Sequence, residues 1–368
     1  MAATLLNCLP RVLVCLACAL AASSRDQAWE RDPTPLLTNF NNMYQPCVVE
    51  VGGEWRYRMW FFGWAAGFAN PGLPGADAIF HARSRDLRHW DVYSADRTWD
   101  STMNPKRWQS VLYASDRWYD NWHNGDPSVV WKDGSFVMAY SATGAPLAHD
   151  VAGYPNKMVL CIMGATSPDG IQWKKTERPL LIRAGDSADP SPEPERIGDF
   201  NRPCLRWDGD RWKLWFDYWI PGRGCCLGYA ENVSGFAKPG GFKIKHDLSR
   251  PLMDNWVNPE VIKVDGTYHL FGDPTGYPVK SGLDQSAAAW MGRQLCEAVS
   301  PDGVSWKRLG FIPPDSDADA CHVPQALITE IDDHKWLYLF YATQTGFKLG
   351  DGQYHYQYDR IRAMRRRL

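Results

Sequence analysis

The sequence predicts an all-β fold, a single five-bladed β-propeller with a central axial pocket. Two repeats and one absence carry that prediction. Five times along the 368 residues a proline opens a short apolar run, a turn follows, and an aromatic-led strand comes back out. After these hairpins a third strand ends in a second repeated signature. Sustained apolar i, i+3, i+4 periodicity is missing, so a helical solenoid is excluded, and repetition at this spacing means a ring of small antiparallel sheets.

The opening prolines are Pro46, Pro127, Pro203, Pro259 and Pro324, which stand 81, 76, 56 and 65 residues apart. Blade one pairs residues 46–51 with 55–62 across Gly52-Gly53. Blade two pairs 127–131 with 136–142 across Asp133-Gly134, and blade three pairs 203–207 with 212–219 across Asp208-Gly209-Asp210. Blade four pairs 259–264 with 268–273 across Asp265-Gly266, and blade five pairs 324–329 with 336–342 across Asp332-Asp333. Glycine and paired acidic residues at these points are hairpin chemistry. The third-strand signature reads Ser84-Arg85-Asp86-Leu87-Arg88-His89-Trp90 in blade one. It reads Ser167-Pro168-Asp169-Gly170-Ile171-Gln172-Trp173 in blade two and Ser300-Pro301-Asp302-Gly303-Val304-Ser305-Trp306 in blade four, with a worn copy at Asn232-Val233-Ser234-Gly235-Phe236 in blade three. These copies recur, so they are structural.

After the fifth hairpin only residues 354–368 remain, enough for one further strand at 360–367. The outer edge of blade five is therefore expected to be covered by residues near 27–37, whose Pro33 and Pro35 suit an edge position alone.

Composition narrows the function. A net charge of −2 gives no broad attraction for nucleic acid or an anionic membrane. The 19 Trp residues exceed what packing between blades requires. An apolar segment at residues 12–22 follows Arg11 and ends in Ala19-Leu20-Ala21, which predicts a signal peptide over 1–21, a propeller over 22–368, and a secreted or periplasmic protein. Eleven residues are too few to span a bilayer. Beyond Cys8, Cys15 and Cys18 the chain keeps seven cysteines, Cys47, Cys161, Cys204, Cys225, Cys226, Cys296 and Cys321, with no Cys-x-x-Cys knuckle. They are expected to be small buried side chains with at most one or two disulfides, and no metal site is predicted. Asn232-Val233-Ser234 is a glycosylation sequon.

Strand direction nominates the site. The first strand of each blade starts at one face of the ring and the second returns to it, so residues just before the prolines converge. Those segments are polar with interleaved aromatics: 41–45, 120–126, 199–202, 254–258 leading to Glu260, and 319–322. The second-strand ends add Asp217 and Asp273. Carboxylates, amides, an Arg, a His and flat indole faces suit a sugar, whose hydroxyls want directional partners and whose apolar face packs on Trp.

In blade pattern, over about residues 38–365, the chain resembles the five-bladed glycoside hydrolases that include arabinanases, β-xylosidases, invertases and levansucrases. The resemblance implies a carboxylate acid/base pair in the axial pocket. It puts His322 at the blade-five position, beside a bound water or calcium ion, with no other cofactor. It puts Glu260 in blade four, after its proline, and Asp199 in blade three, with Arg202 next to the proline. Gln45 stands where an Asp base is expected, and an amide cannot exchange that proton. Asp126, in Gly125-Asp126-Pro127, is the best-formed alternative. The implied function is an exported glycosidase acting on oligo- or polysaccharides. Asp126, Glu260, Asp199 and Asp273 are its catalytic candidates, and Trp122, Trp256, Gln45, Arg202, Asp217, His322 and Asn258 its sugar contacts. The alternative is a catalytically silent carbohydrate-binding propeller.

Overall fold

The computed structural model describes residues 28–40, 42–64, 77–117, 119–144, 159–182, 198–220, 222–278, 292–318, 320–344 and 359–368. The expected signal peptide, Asn41 and Asp319 lie outside them. The fold is the predicted one: five antiparallel sheets form a β-propeller, and no α-helix occurs among the described residues. No described helix is long and apolar enough to cross a membrane.

Blade one runs from its inner strand Tyr44–Glu50 through Tyr57–Trp64 and Asp77–Ser84 to Trp90–Ser94 and Thr98–Asp100. Blade two comprises His123–Lys132, Ser135–Gly144 and Val159–Ser167, edged by Lys174–Lys175 and Leu181–Ile182. Blade three comprises Gly198–Trp207, Trp212–Ile220 and Gly224–Asn232, edged by Lys243–Ile244 and Met253–Asp254. Blade four is Glu260–Val264, Thr267–Gly272, Cys296–Ser300 and Lys307–Phe311. Blade five is Ala320–Ile331, His334–Gln344 and Arg360–Arg367, closed by Glu30–Arg31.

That closure is the one the strand count requires. Glu30 pairs with Arg365 and Arg31 with Met364, and Leu37 forms a further bridge to Ile361. Leu36 and Leu37 bury their side chains in the core between blades five and one. The exposed edge of the last strand is thereby paired across the chain termini.

Four inner strands start before their proline, and the proline sits in a β-bulge. The residue preceding it takes a positive φ in all five blades: Gln45 (46°), Asp126 (48°), Arg202 (48°), Asn258 (51°) and Val323 (50°). Side-chain-bearing residues rarely adopt that conformation, and its repetition marks five equivalent strained points at one end of the ring.

The residue after each proline links one blade to the next. Cys47 Sγ accepts the Val129 N–H at 3.1 Å, Ser128 Oγ that of Leu205 at 2.8 Å, and Cys204 Sγ that of Val261 at 3.1 Å. Glu260 Oε1 accepts the Ala326 N–H at 3.0 Å, and Gln325 Oε1 closes the circle on Val48 at 2.9 Å. Each of these amides lies two residues beyond its own blade's proline, so the links form one ring.

The second signature is a self-capped turn. Ser167 Oγ accepts from the amides of Asp169 and Gly170, and Asp169 Oδ1 from those of Ile171 and Gln172; blades one and four repeat the pattern. A buried Trp of the preceding blade then docks on the turn: Trp60 donates to Gly170 O and Trp215 to Gly303 O. The worn copy uses Asn232, whose amide is occupied by Ser234 and Gly235 and whose side chain is buried. All seven described cysteines are free thiols, which lies within the expected limit of at most one or two disulfides. Burial pushes the Cys47 thiol up to about 12, which keeps it the neutral acceptor that its place in the ring needs.

Candidate active site

At the end of the ring where the inner strands begin, a cavity of about 330 Å³ is lined by residues of all five blades. Blade one supplies Asn42, Tyr44, Phe62 and Asp77; blade two supplies Trp122, His123, Asp126, Thr143 and Leu160. Blade three supplies Asn201 and Arg202, blade four Asn258 and Arg293, and blade five His322 and Val323. The bulges put Asp126, Arg202 and Val323 there, and Asn258, just ahead of its strand, shares their left-handed backbone.

Of the sequence-predicted residues, Asp126, Arg202, Asn258, Trp122 and His322 meet in this cavity. Among the described residues the Asp126 carboxylate accepts no hydrogen bond, though the charge of Arg202 is near it. Arg202 reaches back to Asp217, with Nη1 3.2 Å from both carboxylate oxygens. Asp217 also accepts the Asn258 N–H at 3.0 Å. Burial raises the Asp217 carboxyl above its usual range against the opposing pull of Arg202. Asp273 holds Arg293 at 2.5 Å and Asn258 Nδ2 at 2.7 Å, and burial lifts it to about 6 despite Arg293. Asp217 and Asp273 therefore stand behind the lining and position it, rather than touching a bound molecule.

That corrects the expected catalytic role of Asp273 and the expected sugar contact of Asp217, and three further expectations are corrected with them. Glu260 does not line the cavity: it is buried between blades, paired with Arg206 and linked to Ala326, because the residue after the proline turns to the neighbouring blade. Trp256 has no exposed surface and packs in the core between blades three and four, so it has no face to offer a sugar. Gln45 is buried and outside the lining, with Oε1 lacking a partner among the described residues; its neighbour Tyr44 faces the cavity instead. Asp199 falls within the blade-three inner strand, but its side chain lies outside the described residues.

His322 is fully buried against the Tyr44 ring, centroids 5.0 Å apart. Burial first, and the Arg293 charge second, hold its imidazole well below the usual histidine range, so it is neutral. This setting does not fit a calcium ion. Such an ion wants six or more oxygens, and a guanidinium and an aromatic ring face His322 among the described residues.

The sequence argument missed Asp77 and Arg293. Both stand at or just before the start of a third strand, which begins at the same face as the first. That strand carries the same positional signal. His123, Asn42, Asn201 and Tyr44 lay in the converging segments without being singled out. His123 Nδ1 lies 2.8 Å from Asp77 Oδ2, and Asn42 Nδ2 donates to Asp77 Oδ1 at 2.9 Å. Burial works against the charged imidazole, yet the hydrogen bond and charge of Asp77 and the charge of Asp126 outweigh it and raise His123 above the usual histidine value.

No protein-family profile matches the chain, and no curated protein matches its sequence. Solved structures match its fold. A thermostable family-43 glycoside hydrolase is 14% identical with a TM-score of 0.55, covering 92% of each chain. A family 117 glycoside hydrolase from the marine bacterium Zobellia galactanivorans is 14% identical at a TM-score of 0.55, covering 92% of this chain and 90% of its own. The catalytic domain of a Coprinopsis cinerea family 62 α-L-arabinofuranosidase is 13% identical at a TM-score of 0.55, covering 92% and 97%. The chain shares with these proteins the five-bladed propeller fold.

Proposed function

We propose that the protein hydrolyses a glycosidic bond of an oligo- or polysaccharide in the five-blade cavity, with Asp126 as the working carboxylate. One observation carries the reading. Asp126 is 5% exposed at a strained backbone position and faces the cavity with no hydrogen bond to spend it on among the described residues. Asp217 and Asp273, the buried acids directly behind the lining, are clamped by arginines. A strained, uncommitted carboxylate in a pocket is placed for chemistry rather than for folding. Tyr44, Phe62 and Trp122 add aromatic surface, and Asn42, Asn201, Asn258 and Arg202 add donors, which is what a sugar ring requires. The propeller glycoside hydrolases that share the fold support the substrate class. Asp126 either takes a proton from the attacking water or bonds to the anomeric carbon.

The test is a screen of the purified protein on nitrophenyl glycosides and plant or algal polysaccharides, followed by Asp126→Asn. The variant is isosteric and should fold as the parent does while losing at least about a hundredfold in turnover. Unchanged turnover overturns the role of Asp126. Gln45, buried in blade one where the resemblance expects the base, favours the second reading, a sugar-binding propeller without hydrolysis. Saturable sugar binding with no cleavage of any substrate would establish it. Residues 12–22 support export, and fractionation of the expressing cells tests that.

A further inference from the structure

We propose that His123 is the proton donor to the leaving oxygen and that Asp77 is its positioning residue, an assignment that rests on the hydrolytic reading above. The hydrolysis needs a donor, and the buried acids nominated by sequence cannot supply it. Asp217 and Asp273 are held behind the lining by Arg202 and Arg293, and Glu260 belongs to the ring of inter-blade links. His322 faces the cavity but is held neutral there.

His123 is built into place from three sides. Asp77 fixes Nδ1 at 2.8 Å and is itself fixed by Asn42 at 2.9 Å, so the carboxylate cannot rotate away. Phe62 meets the imidazole edge-on, at 83° and 5.7 Å between centroids. Gly125 provides the floor: a Cβ there would stand 2.7 Å from Nε2 and 3.0 Å from Cε1, so the ring lies where only a glycine leaves room. With Nδ1 committed to Asp77, Nε2 has no partner among the described residues, and it is the atom from which a proton can leave. The charged groups facing the ring are Asp77 from blade one, Asp126 from its own strand and Arg202 from blade three. The two carboxylates favour the imidazolium; burial and Arg202 oppose it, and the carboxylates prevail.

The step balances. The Nε2 proton passes to the glycosidic oxygen as the carbon–oxygen bond breaks, and the bonding pair stays on that oxygen. The carbon gains the hydroxyl of a water molecule. By the covalent route water releases Asp126 as the carboxylate and its other proton goes straight back to the neutral His123; by direct displacement Asp126 receives that proton, and exchange with solvent then returns a proton to His123.

The experiment combines NMR titration of His123 with kinetics on phenyl and 2,4-dinitrophenyl glycosides of a sugar the parent cleaves. His123 should titrate above the usual value of about 6.5, and the alkaline limb of kcat/KM should follow the same pKa. His123→Gln should erase that limb and lose at least about a hundredfold on the phenyl glycoside. The loss on the dinitrophenyl glycoside, whose leaving group needs no proton, should be far smaller. Asp77→Asn should move both the NMR titration and the kinetic limb to lower pH, which a merely structural aspartate would not do. If His123→Gln does not fold, the titrations of the parent and of Asp77→Asn decide the matter. A parent His123 titrating below about 6.5, or equal losses on the two leaving groups, overturns the assignment while leaving hydrolysis intact. A parent that cleaves neither glycoside overturns the hydrolytic reading and this step with it.

Discussion

Glu260→Ala separates a link between blades from a group that does chemistry. Glu260 accepts the Ala326 N–H at 3.0 Å and pairs with Arg206, with side-chain exposures of 4% and 24%. Removing one member of a buried ion pair costs about 3–5 kcal/mol, and the partial exposure of Arg206 argues for the lower end, about 3 kcal/mol. The orphaned amide adds at least about 1 kcal/mol. Together these give about 4 kcal/mol, which at roughly 2 °C per kcal/mol for a large domain lowers the melting temperature by about 8 °C. Glu260→Gln keeps an oxygen for the amide and gives up only the charge, so its drop should be smaller. Scanning calorimetry on the parent and both variants measures the order, and sugar turnover below the transition should stay within a few-fold of the parent. A melting temperature within about 2 °C of the parent together with lost turnover would refute the reasoning and return Glu260 to the cavity.

The two tryptophans of the repeated Asp-Asn-Trp segments should behave oppositely. Trp122→Ala should weaken sugar binding by about 1–3 kcal/mol with little change in melting temperature. Trp256→Ala, which empties a fully buried site, should cost about 3–5 kcal/mol of stability and leave the affinity of the folded fraction unchanged; calorimetry beside titration of the sugar separates them. Truncating the chain to begin at Thr38 removes the Glu30–Arg31 edge strand and the buried Leu36 and Leu37, and should lower the melting temperature or bring on aggregation. A truncated protein as stable and soluble as the parent would show that the ring closes without the segment.

The fold was legible because its signals are local and repeated. Proline, apolar run, turn and aromatic strand recur five times, and the strand count even demanded the cover over blade five that Glu30–Arg31 supplies. The site was legible only as a face. Asp126, Arg202, Asn258, Trp122 and His322 were reached by strand direction. Asp77 and Arg293 stand where third strands begin, at the same face but without the proline that marks each first strand. Trp256 shows a different limit: the segment 254–256 repeats 120–122 residue for residue, yet one indole is half-buried at the cavity and the other is wholly enclosed. Which neighbour closes over a ring is decided by residues far along the chain, and a local repeat does not contain it.

The triplet centred on each opening proline explains why a one-residue shift misled the reading of Glu260. A bulge leaves a backbone N–H without its ladder partner, and proline has none to leave, so proline fits there at no hydrogen-bonding cost. The residue before it takes positive φ, and in four of the five blades it lines the cavity. The residue after it turns to the adjacent blade, where it must accept a hydrogen bond. The first position accordingly varies freely in chemistry, as Gln45, Asp126, Arg202, Asn258 and Val323, and three of those five are charged or amide groups that line the cavity. The second is restricted to acceptors: Cys47, Ser128, Cys204, Glu260 and Gln325. Strain at five non-glycine residues, of order 1–3 kcal/mol each, persists only where the surroundings over-determine it. The closed circle of five links, one proline away from each strained residue, is that surrounding structure. A carboxylate placed after the proline holds the ring together, and a carboxylate placed before it is free to act.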